Sequence, residues 1–143
     1  MADRMSEKMY QENILDHYRN PMNKNELNGA QINHLGANPI CGDEVKIMAN
    51  VGVGSGIIRE SAFTGNGCAI SQAAASMLTE MIKGKTIAQL KKLKNDDVVK
   101  MLGIPLSPTR LKCAILCLKV LEIGIKEFET GKKLGDVSTE EIK

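Results

Sequence analysis

The sequence predicts an α+β domain in which a group of β-strands precedes a group of helices. Apolar and polar residues alternate over residues 45–51, residues 57–64 form a second strand-like run, and the glycine-rich segment between them suits a hairpin. From residue 69 onward, apolar residues recur with the spacing of one helix face. Strands followed by helices are typical of the α+β class, and 143 residues are enough for one domain with a sizeable core.

The N-terminal part is predicted to form a helix, a loop and a short strand. Tyr10, Ile14 and Tyr18 recur at every fourth position, which predicts a helix over residues 7–18. The helix ends before Pro21, because a residue that precedes proline avoids the α conformation. After a polar loop, residues 30–35 are predicted to form a short edge strand.

The segment Asn38-Pro-Ile-Cys-Gly-Asp43 is predicted to be a tight turn that carries a thiol and a carboxylate. In an extended chain, residues two apart point to the same face, so Cys41 and Asp43 can reach one metal ion. The alternative is a surface turn in which both residues occur by chance. The hairpin favours the metal site, since it returns the residues after Thr64 to the neighbourhood of Cys41.

A second thiol is predicted at the N-terminus of a helix. Glycines precede Cys68, and an apolar face then extends over residues 69–82 to a stop at Gly84. The unpaired N–H groups of a helix start favour a thiolate, which suits a reactive or metal-binding cysteine. The alternative is a small buried cysteine with a purely structural role.

Three helices are predicted in the C-terminal half, each from its end residues. Thr86 and Gln89 form a capping box for residues 87–93, and Asn95 or Asp96 caps a short helix that ends at Gly103. The longest helix begins at Ser107-Pro108 and ends at Gly131.

Two cysteines lie in this longest helix. Cys113 is in its first turns beside Lys112 and Arg110, which makes it a third candidate ligand. Cys117 lies within an apolar run and is predicted to pack in the core.

Composition narrows the possible partners and the location. The net charge of +2 and the scarcity of aromatic residues argue against nucleic acid or an anionic membrane as a partner. The polar start is unlike a secretory signal, so a cytoplasmic location with reduced thiols is expected. We expect a single domain over residues 1–143, with its core over about residues 9–131 and a polar C-terminal tail.

Three thiols and one carboxylate form a four-ligand set that suits tetrahedral Zn²⁺ or the irons of an iron–sulfur cluster. The candidate ligands are Cys41, Asp43, Cys68 and Cys113, and their spacing does not choose between the two cargoes. A single oxygen ligand among soft thiolates indicates a site that releases the metal or cluster it binds, since cysteine and histidine usually supply all four ligands of a structural zinc site.

Four segments of the chain resemble one known family, that of the IscU/SufU (NifU N-terminal-like) iron–sulfur cluster assembly proteins. The segments are Met9-Tyr-Gln-Glu-Asn-Ile-Leu-Asp-His-Tyr-Arg-Asn-Pro21, Asn38-Pro-Ile-Cys-Gly-Asp43, Gly67-Cys-Ala-Ile-Ser-Gln-Ala-Ala-Ala-Ser-Met77 and Arg110-Leu-Lys-Cys113. They occur in the family's order over residues 9–131. The resemblance implies a three-stranded antiparallel sheet with helices packed on one face, a long C-terminal helix and cysteines clustered at one end.

The resemblance also implies a function for each candidate residue. Cys41, Asp43, Cys68 and Cys113 would hold a transient [2Fe–2S] cluster, or Zn²⁺ in its absence. A cysteine desulfurase would deliver persulfide sulfur to Cys113 at the exposed start of the helix, and Asp43 would keep the cluster labile for recipient apoproteins. A homodimer in the cluster-bound state is a further possibility that the family raises.

The chain combines features of two subfamilies. Lys112 stands where IscU-type members have histidine, and as an ammonium it can support an anionic cluster or a thiolate electrostatically. The IscU-type chaperone motif is replaced by Leu106-Ser-Pro-Thr-Arg110, yet Cys68 and Cys113 keep the IscU-like separation of 45 positions. The extra segment of SufU-type members is predicted to be absent.

Three functions follow from these features. The leading hypothesis is a scaffold that accepts sulfur, builds a cluster and transfers it, and is not itself an enzyme. The enzymatic alternative is a zinc-dependent sulfurtransferase of SufU type, which Lys112 favours. A structural zinc domain is the third reading, and the weak carboxylate ligand argues against it.

Overall fold

The computed structural model describes residues 4–39, 42–131 and 137–138. The elements in this part of the chain follow the predicted order of a helix, a run of strands and a run of helices. They are α1 (Arg4–Arg19), β1 (Ile32–Asn38), β2 (Asp43–Val51), β3 (Ile58–Asn66), α2 (Ala69–Ile82), α3 (Ile87–Leu90), α4 (Asn95–Leu102), α5 (Pro108–Thr130) and β4 (Val137–Ser138).

The sheet has the strand order β3-β2-β1-β4, and its first three strands are antiparallel. This confirms the predicted three-stranded antiparallel core of the sheet. The two-residue strand β4 adds a parallel pairing with β1, in which Gly36 lies opposite Val137. Two residues are too few to show a hydrophobic period, so no sequence pattern indicates β4. Its presence means that β1 is not the edge strand that was predicted.

Strand pairing also extends β1 beyond the residues predicted for it. The strand continues to Asn38, which lies directly opposite Asp43, the first residue of β2. Hydrogen bonding to β2 therefore defines the end of β1 more than its own residue pattern does. As a result, β1 leads directly into the turn that precedes Asp43.

Helices α2 and α5 pack on one face of the sheet, as the family resemblance implies. Side chains of alternate strand residues are buried beneath them, including Ile32, Val45, Ile47 and Phe63. Helix α5 crosses β1 closely enough for a Cβ at Gly124 to lie 2.8 Å from the Cγ2 atom of Ile32. This packing fixes the N-terminal turns of α2 and α5 at the same end of the sheet as Asp43.

Helix α1 packs against α2, and only one residue of its predicted apolar stripe is buried. Ile14 is 3% exposed, whereas Tyr10 and Tyr18 are 41% and 45% exposed. The Tyr10 ring lies against Gly103, whose backbone has a φ of +74° and leaves no room for a Cβ. The two tyrosines therefore border the core instead of entering it.

The helix starts in the C-terminal half agree with the predicted caps, with one exception, and α3 ends at Leu90 instead of the predicted residue 93. Thr86 and Gln89 form the capping box of α3, and the Ser107 hydroxyl accepts the Arg110 N–H at the start of α5. Helix α4 begins one residue earlier than predicted, because the Asp97 carboxylate accepts the Lys94 N–H at 2.8 Å. Among the described helices, none is long and apolar enough to cross a membrane.

Candidate metal centre

Three of the four predicted ligands meet at one end of the sheet. One ligand atom each from Asp43, Cys68 and Cys113 lies within 4.8 Å of the other two. The residues come from the start of β2, the residue before α2 and the second turn of α5, so 70 positions separate the first from the last. The fold therefore assembles a soft, thiol-rich donor set with one carboxylate.

Asp43 is fully buried, and it binds the residue that precedes α2. Its Oδ1 atom accepts the backbone N–H of Cys68 at 2.8 Å, and the Cys68 Sγ lies 3.5 Å from Oδ2. The pairing of Glu44 with Asn66 in the sheet brings the end of β3 beside the start of β2. A carboxylate at this place satisfies an N–H group at the start of α2 and also points to the thiols.

Gly67 makes this approach possible. Its backbone has a φ of +152°, and a Cβ there would collide with the carboxylate of Asp43 and lie 2.9 Å from the Ser71 hydroxyl. Residues with a side chain rarely adopt this conformation, and here they would also displace the carboxylate. Gly67 is therefore part of the site, although it offers no ligand atom.

The two described thiols of the site differ in exposure, and the difference contradicts one prediction. Cys68 is exposed, whereas Cys113 is only 3% exposed. The prediction that Cys113 lies at an exposed helix start is wrong. Residue 113 falls on the helix face that also carries Leu116 and Cys117, and that face packs against the sheet. Its assignment as the persulfide acceptor stays a prediction.

A buried asparagine contacts the inner thiol. The side-chain amide Nδ2 of Asn38 lies 3.8 Å from the Cys113 Sγ, and Asn38 is 1% exposed. Its backbone carbonyl also accepts the N–H of Gly42 at 2.9 Å and so closes the turn before Asp43. The sequence indicates only that Asn38 is part of the turn motif, because a sequence does not reveal which side chain the residue at a strand end will face.

Cys41 lies outside the described residues, so its place among the ligands stays a prediction. Asn38 and Asp43, three residues before Cys41 and two residues after it, are described. Asn38 and Asp43 are paired across the β1–β2 hairpin, at the end of the sheet where the thiols meet.

Positive charge surrounds the N-terminus of α5. Lys112 is half-buried and lines a cavity of about 100 Å³ with Asn38, Pro108 and Thr109, while Arg110 is exposed. Both side chains add to the positive end of the helix dipole near Cys113. The predicted electrostatic role of Lys112 is compatible with this position and stays a prediction.

A larger cavity opens beside the thiols. It has a volume of about 590 Å³, within the usual range for a ligand site, and both Cys68 and Cys113 line it. Helix α1 contributes one wall through Gln11, Ile14 and Leu15. The buried Cys113 therefore borders a cavity that the exposed Cys68 also lines.

Cys117 does not belong to the site. It is fully buried in the core, and its Sγ lies 3.5 Å from the backbone carbonyl oxygen of Ala114. Burial raises the pKa of its thiol to about 12. The prediction that Cys117 packs in the core is confirmed.

Comparison with known proteins identifies the class to which this fold and donor set belong. The family described as "NifU-like N terminal domain" matches residues 9–134. The chain belongs to this family, which confirms the resemblance found in the motifs.

Individual relatives in the family bear two different functional names. The chain is 35% identical over 140 residues to the zinc-dependent sulfurtransferase SufU of Bacillus subtilis, covering 86% of this chain and 93% of the relative. It is 32% identical over 126 residues to the iron–sulfur cluster assembly scaffold protein IscU of Buchnera aphidicola, covering 86% of this chain and 97% of the relative. The chain is therefore similar to both subfamilies to nearly the same degree.

A solved structure matches the fold. The crystal structure of a candidate iron–sulfur cluster assembly scaffold for the SUF system of Fervidobacterium islandicum has a TM-score of 0.68 to this chain. The two sequences are 28% identical, and the match covers 84% of this chain and 98% of the other. The shared architecture confirms the predicted α+β fold.

Proposed function

We propose that this protein is a scaffold for iron–sulfur cluster assembly. It builds a transient [2Fe–2S] cluster on Cys41, Asp43, Cys68 and Cys113 and passes the cluster to recipient apoproteins. The observation that carries the proposal is the convergence of Asp43, Cys68 and Cys113 within 4.8 Å at one end of the sheet. The scaffold name of the Buchnera aphidicola relative supports the same function.

The donor set suits a cluster that is bound only transiently and is then transferred. Thiolates bind iron strongly, whereas a single carboxylate is a harder and more weakly held ligand for the same ion. Asp43 already has a second partner, because its Oδ1 accepts the Cys68 N–H at 2.8 Å. A carboxylate that can return to this hydrogen bond loses little when the cluster departs.

Sulfur delivery requires a thiol that an incoming persulfide can reach. We assign this role to Cys113, with access through the 590 Å³ cavity beside Cys68. The Cys113 thiolate attacks the outer sulfur of the desulfurase persulfide; the S–S bond breaks, and the desulfurase leaves as a thiolate. Lys112 and the α5 N-terminus favour the anionic form of the attacking sulfur.

The partners follow from the same chemistry. A cysteine desulfurase supplies the sulfur, and iron–sulfur apoproteins receive the cluster. A homodimer in the cluster-bound state would add thiolates from a second copy to the irons. A cytoplasmic location also stays a proposal.

A zinc-dependent sulfurtransferase is the second candidate function. Lys112 in place of a histidine and the 35% identity to the Bacillus subtilis SufU favour it. In this mode Zn²⁺ holds the same thiols, and one of them must leave the ion to accept persulfide. The protein then relays sulfur without building a cluster.

Anaerobic reconstitution separates the two functions. The purified protein is incubated with Fe²⁺, cysteine, a cysteine desulfurase and a thiol reductant such as dithiothreitol, which reduces the persulfide sulfur to sulfide, and the product is analysed by visible absorption and metal content. Cluster absorption with about two irons per site supports the scaffold. A protein that keeps only zinc and develops no cluster absorption would falsify the scaffold and leave the sulfurtransferase.

Mass spectrometry of the persulfide identifies the acceptor thiol. We expect Cys113→Ser to abolish stable persulfide formation after incubation with desulfurase and cysteine, while Cys68→Ser retains it. The reverse pattern would transfer the acceptor role to the exposed Cys68. Cys117→Ser is the matched control, because this buried thiol lies outside the site.

A further inference from the structure

Asn38 is a buried polar residue that contacts the inner thiol and is not itself a candidate ligand. It ends β1, lies opposite Asp43 in the hairpin and is 1% exposed. Its Nδ2 atom donates to the Cys113 Sγ at 3.8 Å, within the range of a hydrogen bond to sulfur. An amide side chain is thus buried against a residue of the proposed cluster site.

Hydrogen bonds to a ligand sulfur change how strongly that sulfur donates to a metal. The N–H group withdraws electron density from a thiolate, which weakens its donation to iron and shifts the cluster potential. An amide does not titrate in the physiological range, so Asn38 offers an N–H donor whether the thiol is protonated or ionised.

We infer that Asn38 is a positioning residue for Cys113, which it orients toward Asp43 and Cys68 while it reduces the donor strength of the Cys113 sulfur. The inference rests on the proposed function, in which Cys113 is a ligand. It extends that function, since it gives the site a second cause of cluster lability besides Asp43. Asp43 makes the cluster labile because it is a weak ligand. Asn38 does so because its hydrogen bond weakens a strong ligand, the Cys113 sulfur.

The backbone and the side chain of Asn38 act on different parts of the site. The carbonyl accepts the Gly42 N–H at 2.9 Å and closes the turn, whereas the amide faces Cys113. A substitution at position 38 removes the amide and keeps the backbone hydrogen bond. The role of the side chain can therefore be tested while the turn is preserved.

Binding of Co²⁺ alone provides the test, because charge-transfer bands from thiolate to cobalt report the donor strength of the sulfur. Asn38→Leu has a similar size and no N–H donor, so we expect these bands to move to lower energy, because the sulfur becomes a stronger donor. Asn38→Gln retains an amide and should restore most of the wild-type spectrum. Asn50→Leu, near the far end of β2, is the matched control and should leave the spectrum unchanged.

The outcomes distinguish this inference from the proposed function. If the bands change in Cys113→Ser but not in Asn38→Leu, the inference about Asn38 is overturned and the proposed function is unaffected. If the bands do not change in Cys113→Ser, Cys113 is not a ligand, and both the proposed ligand set and the inference are overturned. If Asn38→Leu does not fold, Asn38→Ala provides the same comparison. We expect the same spectral shift, and an unchanged spectrum would contradict the inference.

Discussion

Replacing Gly67 by alanine should damage both the fold and the metal site, and the structure gives the size of each effect. A side chain at a φ of +152° costs on the order of 1–3 kcal/mol. The new Cβ would also displace the Asp43 carboxylate, and the loss of its bond to the Cys68 N–H costs about 1.5–3 kcal/mol more. We therefore expect Gly67→Ala to lower the free energy of unfolding by about 4 kcal/mol.

Gly54 provides the matched control for this prediction. It also has a positive φ, of +78°, and a Cβ there would meet no atom within 4 Å. Gly54→Ala should thus cost only the backbone strain, about 1 kcal/mol, and leave metal binding intact. Chemical denaturation measures the first effect, and competition with a chromophoric zinc chelator measures the second.

The decisive quantity is the zinc affinity of folded Gly67→Ala. Because the carboxylate is pushed out of the donor set, we expect this affinity to fall at least about tenfold, while Gly54→Ala binds as wild type does. If Gly67→Ala binds zinc with wild-type affinity, the close approach of Gly67 to Asp43 has no role in the site, and the reasoning fails.

Three further outcomes follow from the contacts of single residues. The Asp43→Ala variant should retain a reconstituted cluster longer than wild type does, and faster decay of its cluster absorption would contradict the role of Asp43. The same substitution should lower the free energy of unfolding by about 2 kcal/mol, because the contact with Cys68 is lost. Cys117→Ala should leave the cluster yield unchanged and cost about 1 kcal/mol, so a large loss of yield would place Cys117 in the site. The Cys117 thiol has a pKa of about 12 in the folded protein against an ordinary 9.0, so the folded state keeps a proton that the unfolded chain loses above pH 9. The stability advantage of wild type over Cys117→Ala should therefore be full below pH 9 and shrink toward pH 12, and an advantage that grows with pH would refute this assignment.

Local chemistry made several parts of the fold predictable. The start of α5 at Ser107-Pro108 and the capping box of α3 depend on residues within one helical turn, so a sequence pattern contains all the information. The hairpin of β2 and β3 is likewise indicated by alternation and by the glycines between the strands. These features give the order of the elements and the end of the sheet at which the cysteines gather.

Features that depend on distant packing were not predictable. Cys113 was expected at an exposed position, and its burial follows from the face of α5 that the sheet covers. The contacts of Asp43 with Cys68 and of Asn38 with Cys113 join residues 25 and 75 positions apart. Such contacts require the strand register and the helix placement together, which no single motif contains.

Transfer of the cluster is the most direct measurement of what this site does. Reconstituted protein is mixed anaerobically with an apoferredoxin that takes a [2Fe–2S] cluster, and visible circular dichroism distinguishes the two holoproteins over time. If the carboxylate of Asp43 is one of the ligands, the ferredoxin signal should grow as the signal of this protein declines. Asp43→Ala should then slow the transfer. A cluster that forms here and remains, with no gain by the ferredoxin, would contradict the assignment of this chain as an assembly scaffold.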